Sequence, residues 1–149
     1  MPKQVVFHLL AKETADDANQ ALLQWACELA AEQFRAHKRV FIYTDDQQTA
    51  HAVDELLWSF DSQSFVPHNL PGEDSHKGSP VEISWQPPIN HRHILINLSS
   101  KVPTFATQFS QILDFVPAAE ELTKLARLRY RQYQQTGFEL QTRTATQAA

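Results

Sequence analysis

Short β-branched runs alternate with long amphipathic segments along the first part of the chain, and this alternation limits the fold more than any other feature. Val5-Val6-Phe7-His8-Leu9-Leu10 reads as a buried strand. Thr14 to Asp17 then offers side chains that start a helix, with acids suited to its positive end. Leu22, Leu23, Trp25, Ala26, Leu29, Ala30 and Phe34 recur at helical spacing down to about Ala36. Arg39-Val40-Phe41-Ile42-Tyr43 is a second strand, Thr44-Asp45-Asp46 a cap, and Gln47 to Trp58 a second helix. Strand, long helix, strand, helix is the pattern of parallel crossover units.

The remainder extends the same architecture less regularly. Phe65-Val66 reads as a short strand before Pro67, and His68 to Pro80 as a long polar loop. Val81 to Trp85 and His93 to Leu98 are two more strands, with a Pro-containing turn over Gln86 to His91 between them. A helix is expected over Pro103 to Ser110, then a strand over Gln111 to Pro117 and a last helix over Ala118 to Gln135. The sequence therefore predicts a single three-layer α/β domain over residues 1–141. Its sheet is mostly parallel and Rossmann-like without a nucleotide-binding loop, and residues 142–149 form a flexible tail rich in Thr, Ala and Gln.

Several function classes are disfavoured by composition. A chain of 149 residues with 42% hydrophobic and 20% charged residues can bury a core without staples. Its net charge of −4 is the wrong sign for a dedicated nucleic-acid binder, which displaces counterions with positive surface. The single cysteine, Cys27, forms no internal disulfide and fits a reducing cytoplasm. Met1-Pro2-Lys3-Gln4 runs straight into a strand, which argues against a signal peptide, and no stretch is long and apolar enough to span a membrane.

Phosphate cradles need positions without Cβ so that backbone amides can approach the anion. The three glycines are Gly72, Gly78 and Gly137, none between the first strand and the first helix. That connection is Ala11-Lys12-Glu13-Thr14-Ala15-Asp16-Asp17, whose acids repel phosphate. His91 and His93 lie where a loop enters a strand, but no Cys or carboxylate partners stand near them, and they read as unrelated surface histidines. His68 and Glu73-Asp74-Ser75-His76 include hydrolase residue types without a Gly-x-Ser-x-Gly elbow. Cys27, beside Trp25 and Leu29, reads as a small core residue. No catalytic residue, cofactor or metal site is expected.

The last helix is the unusual one. It carries Lys124, Arg127, Arg129 and Arg131 on an acidic protein. At about 100° per residue, Arg127, Tyr130, Arg131 and Gln134 share one side, and Leu122, Leu125, Ala126 and Tyr133 share another. One stripe is expected to seal on the sheet. The other shows solvent guanidiniums around a phenol ring, a surface suited to a carboxylate that arrives with an apolar side chain. Such a surface docks a peptide rather than catalyses a reaction; its bland counterpart is a solvated helix face.

Several stretches together resemble the chi subunit of bacterial DNA polymerase III, a clamp-loader accessory protein. They are Val5 to Leu10, Cys27 to Glu32 with Lys38-Arg39-Val40, Leu56-Leu57-Trp58, and Ser64-Phe65-Val66-Pro67-His68-Asn69-Leu70 with Gly72-Glu73. Pro80 to Trp85, Ile94 to Leu98, Asp114-Phe115-Val116-Pro117 and Leu125 to Tyr130 follow, ending at Gly137-Phe138. The Ser-Phe-Val-Pro-His-Asn-Leu and Asp-Phe-Val-Pro runs are the specific ones.

The resemblance implies a non-catalytic, cytoplasmic adaptor that joins the psi subunit of the clamp loader. It also implies that this adaptor holds the acidic, phenylalanine-ended C-terminal tail of single-stranded DNA-binding protein, so that its contact with DNA is indirect. The resemblance further implies that the psi-facing surface can also serve a repair helicase. Carried over residue by residue, the resemblance implies a tail site of Val116, Arg127, Tyr130 and Arg131, with Arg131 where the family can have lysine. It implies a psi interface of Trp58 and Phe65. Thr123 and Gln134 are uncharged where the family helix can be basic. Trp58 ends its helix among Ser59, Asp61, Ser62 and Gln63, a setting that favours partial exposure and an interface anchor. The alternative classes are a small nucleotide-binding α/β enzyme lacking the usual glycine loop, and a protein that binds single-stranded DNA directly through its last helix.

Overall fold

The computed structural model describes residues 3–10, 15–59, 66–71, 79–89, 92–117 and 119–144, with the side chains of 15–19 left aside. The strands are β1 (Gln4–Leu9), β2 (Val40–Tyr43), β3 (His68–Asn69), β4 (Val81–Ser84), β5 (Ile94–Asn97), β6 (Gln111–Val116) and β7 (Glu139–Thr144). The helices are α1 (Ala15–Arg35), α2 (Gln47–Ser59) and α3 (Glu120–Thr136). Among the described residues the strands form one 7-stranded sheet in the order β3-β4-β2-β5-β6-β1-β7, and every pairing in it is parallel.

Alternation along the strands divides the core between two faces. Val6, Val40, Ile42, Ile83, Ile96 and Leu113 meet the inner stripes of α1 and α2 on one side. Val5, Phe7, Phe41, Leu95 and Ile112 meet Ala126 and Tyr133 of α3, together with Phe105 and Phe109, on the other. This is a three-layer α/β sandwich in which β4 and β5 are buried along their whole length, Glu82, Ser84 and Asn97 included. Two terminators follow from local chemistry. Asp46 caps α2 by accepting the Thr49 backbone N–H at 2.7 Å, and this bond holds its carboxyl below the usual range. Gly137, at φ 101°, ends α3 with Phe138 N–H donating to Tyr133 O at 3.1 Å and the two rings edge to face at 5.7 Å. A Cβ at Gly137 would meet nothing within 4 Å, so its backbone angle, not space, demands glycine.

Several sequence expectations need correction. The helix expected over Pro103 to Ser110 is one 3-10 turn, Ala106–Gln108, and Phe109 is already extended at φ −104°, ψ 146°. The connection joins neighbouring strands, so a single turn suffices to plant Phe105 and Phe109 against Phe41 at 6.0 and 6.1 Å. The short strand falls on His68–Asn69, inside the expected loop, because it pairs with Val81 and Glu82; Phe65 lies outside the described residues. Residues 142–144, expected in the flexible tail, belong instead to β7. Thr142, Arg143 and Thr144 pair in register with Phe7, His8 and Leu9, and residues 145–149 lie outside the described residues. Polar, exposed β7 is legible as an edge strand only once β1 is placed beside it.

His8 is the polar intrusion on β1, 6% exposed, packed against Trp25 at 6.1 Å and Phe115 at 6.0 Å. Burial, and then the charge of Arg143 in register with it, hold its imidazole below 6.5. The unfolded chain therefore binds a proton at a pH where the folded one does not. Stability is complete above pH 6.5 and is lost as pH falls through the lower folded value. Thermal melts from pH 7.5 down to about 5, above the ordinary carboxylate range, check this. The wild-type melting temperature should drop over that window more steeply than that of His8→Leu, and parallel curves would refute the assignment.

Candidate peptide-docking site

Helix α3 stands on β6 through an ionic hub. Asp114 is fully buried on a strand whose neighbours are Leu113 and Phe115. Its carboxylate accepts from Arg129 Nε at 3.2 Å to each oxygen, Arg129 Nη2 at 3.1 Å, the Tyr133 hydroxyl at 2.8 Å, Asn97 Nδ2 at 3.2 Å and Phe115 N at 2.6 Å. Arg129 also donates to Phe115 O at 3.0 Å and to Ser100 O at 3.2 Å. Burial first, and then the Asp114 charge, push the Tyr133 phenol well above its ordinary range, so it remains a donor. These bonds set the rotation of α3 about its axis.

That rotation differs from the one expected. Ala126, Arg129 and Tyr133 are the buried residues of α3, whereas Leu122 and Leu125, expected in the sealing stripe, are 44% and 37% exposed. A leucine-centred stripe would turn Arg129 outward and leave the buried Asp114 without its cation, which costs more than exposing two leucines. Arg129 and Asp114 are the important pair that sequence reasoning passed over. The available signal was an acid inside the apolar run Ile112-Leu113-Asp114-Phe115.

With Arg129 committed inward, Arg127 and Arg131 are exposed. Tyr130 is half-buried, its ring 5.5 Å from that of Phe7. Val116 is likewise half-buried and packs on the same apolar cluster as Tyr130. The structure thus puts Val116 and Tyr130 on the margin of one cluster, with two guanidiniums on the adjoining helix surface. Lys124 is held 3.8 Å from Glu120 on the exposed side.

The second expected surface lies at the opposite end of the sheet order, where α2 meets β3. Trp58 is 60% exposed and stands edge to face on His68 at 4.9 Å. His68 is held by Val66 O at 2.7 Å from Nδ1 and by Asp54 at 3.3 Å from Nε2. Its expected partner residue Phe65 lies outside the described residues.

A cleft of about 200 Å³ opens where the carboxyl ends of β2 and β5 diverge, the usual ligand crevice of open α/β sheets. Its loops carry Asp45, Ser99 and Ser100 and no glycine. Asp45 accepts the Ser100 backbone N–H at 3.0 Å, which ties the two loops together, and Asn97 Oδ1 accepts that of Ser99 at 3.1 Å within one of them. His93 Nδ1 accepts the Arg39 backbone N–H at 3.2 Å, while His91 and Glu73 to His76 lie outside the described residues. Cys27 is fully buried, and burial pushes its thiol up to about 12. Among the described residues, no group of three or more His, Cys, Asp or Glu side chains could hold a metal ion, and no helix is long and apolar enough to cross a membrane.

Comparison with known proteins adds to this geometry. Residues 1–141 match the family described as DNA polymerase III chi subunit, HolC. The chain is 44% identical over 144 residues to DNA polymerase III subunit chi of Escherichia coli, covering 95% of this chain and 98% of that protein. It is 38% identical over 144 residues to the subunit of the same name from Haemophilus influenzae, covering 95% and 97%. Among solved structures, T4 UvsW superposes with a TM-score of 0.62 at 12% identity over 97% of this chain and 41% of that one, a likeness of fold alone.

Proposed function

This chain belongs to the DNA polymerase III chi subunit family, with the replication accessory role that membership carries, and on that premise we propose that it is a non-catalytic adaptor. It links the psi subunit of the clamp loader to the acidic, phenylalanine-ended tail of single-stranded DNA-binding protein. The observation that supports this reading is that exposed Arg127 and Arg131 lie on the helix whose half-buried Tyr130 shares one apolar cluster with Val116. Arg127 pairs with the terminal carboxylate of the tail, since a guanidinium offers it two parallel N–H donors. Tyr130 and Val116 line the seat of the terminal ring, and Arg131 attracts the upstream acids. DNA contact is indirect, in keeping with the net charge of −4.

Trp58 anchors the psi partner, because a large ring projecting from a helix end and backed by His68 suits an interface hot spot. Phe65 accompanies it, and in this reading the same surface also receives a repair helicase. The work is cytoplasmic and needs no cofactor.

Two variants test the adaptor together. Titration with a labelled peptide of several acids ending in phenylalanine should show Arg127→Ala binding about 10- to 100-fold more weakly than wild type, with an unchanged melting temperature. Trp58→Ala should retain the peptide and lose co-purification with the psi subunit. Peptide affinity indifferent to Arg127→Ala refutes the tail site, and psi retained by Trp58→Ala refutes the other surface.

A further inference from the structure

Trp25 and Trp85 pack against the core on the α1–α2 face. Trp58 stands outside that core, on the last turn of α2 and 60% exposed. Helix ends fray, and an indole on such a turn would sample several rotamers unless something fixed it. The ring set against it is that of His68, edge to face at 4.9 Å.

His68 is itself immobilised. Its side chain is fully buried. Nδ1 donates to Val66 O at 2.7 Å, since a carbonyl can only accept, and Nε2 stands 3.3 Å from Asp54 Oδ1. Contacts at opposite ends of the imidazole fix both its position and its plane. The backbone beneath it is pinned as well. His68 and Asn69 pair with Val81 and Glu82, and Pro67 O accepts the Val81 N–H at 3.3 Å. Asn69, buried, accepts from Ser79 N at 2.8 Å and donates to Leu70 O at 2.9 Å. Asp54 lies four residues before Trp58, so the two share one face of α2. The helix that carries the indole thus also grips the imidazole that supports it.

We propose that Asp54 and His68 are positioning residues for the psi interface: together they lock the Trp58 indole in its binding pose before the partner arrives. Because the His68 side chain is covered, it acts through the ring of Trp58 and not by touching the partner. Ordering a large side chain in advance removes a cost that association otherwise carries. The Val66-Pro67-His68-Asn69-Leu70 stretch, part of the run that carries the family resemblance, is in this assignment the base of an aromatic anchor. The assignment rests on the adaptor reading and adds the brace behind Trp58 to it.

The test uses the full chain labelled with fluorinated tryptophan, which gives one fluorine resonance for each of its 3 tryptophans. Trp58→Phe assigns the relevant one. Without partner, Asp54→Ala and His68→Ala should shift or broaden the Trp58 resonance and leave those of Trp25 and Trp85 in place. Both variants should bind the purified psi subunit about 3- to 10-fold more weakly than wild type. Asp54→Asn, which keeps an oxygen facing Nε2, should restore most of that affinity. Glu55→Ala, the same loss of charge one residue on and exposed, should bind like wild type. Asp54→Ala carries the test if His68→Ala melts early, and movement of every resonance in Asp54→Ala would mark a fold-wide role and overturn the assignment. If wild type binds psi and Trp58→Ala does not, yet the Asp54 and His68 variants keep full affinity or leave the Trp58 resonance unmoved, the brace is overturned and the psi surface stands. If wild type fails to bind psi, or Trp58→Ala binds it unchanged, the psi surface is overturned and the brace with it.

Discussion

Asp114→Ala is expected to lower the unfolding free energy by about 3–5 kcal/mol, the cost of leaving a buried guanidinium without its counterion. Arg129 is 7% exposed and its partner carboxylate is fully buried. Removing that carboxylate also strips an acceptor from the Tyr133 hydroxyl and from Asn97 Nδ2. The melting temperature should fall by about 10 °C for a domain of this size. Replacing both partners, as Asp114→Leu with Arg129→Met, should recover much of the loss, because no unpaired charge is then left inside. Chemical denaturation of the variants measures this, and an Asp114→Ala loss below about 1 kcal/mol, the range of ordinary single substitutions, would show that the hub is dispensable. Peptide affinity should fall with Asp114→Ala as well, since the hub sets which flank of α3 presents Arg127.

Arg92→Ala should be comparably damaging, by about 3–5 kcal/mol, for a related reason at the amino end of the sheet. Arg92 is 1% exposed and donates from Nη1 to Ser79 O at 2.7 Å, Pro80 O at 3.1 Å and Val40 O at 3.2 Å, and from Nη2 to Glu82 Oε1 at 3.0 Å. One guanidinium therefore gathers backbone carbonyls where β2 and β4 begin, and neutralises the only carboxylate on β4. Its truncation leaves Glu82, 6% exposed, charged and unpaired by it. Arg92→Lys should rescue little, because a single ammonium cannot reproduce a planar fork that serves carbonyls and a carboxylate at once. Urea unfolding of Arg92→Ala, Arg92→Lys and Arg92→Met with Glu82→Gln checks the order. A lysine variant as stable as wild type would refute the clamp.

The candidate site was legible in the sequence to different depths. Arg127, Tyr130, Arg131 and Gln134 could be placed on one side of a helix from spacing alone, since the helical period is independent of tertiary context. Which other side packs was misjudged. Hydrophobicity favoured Leu122 and Leu125, and a periodic reading has no means of knowing that Asp114 waits beneath the helix for Arg129. Strand β7 was equally hidden. Nothing in Glu139-Leu140-Gln141-Thr142-Arg143-Thr144 reads as a strand until β1 supplies its hydrogen-bond partners.

From the sequence alone followed the parallel α/β class, the absence of glycine where a phosphate cradle would need it, the family and the helix that carries the arginines. These depend on local period, local backbone chemistry and motif, which are written along the chain. Only the tertiary structure decided the strand order, the burial of Arg129 and the pairing of β7 with β1, because each joins residues far apart in sequence. The physical reason is that a buried charge selects its partner through space. In this protein that selection, rather than the apolar stripe, determines which face of the last helix meets solvent.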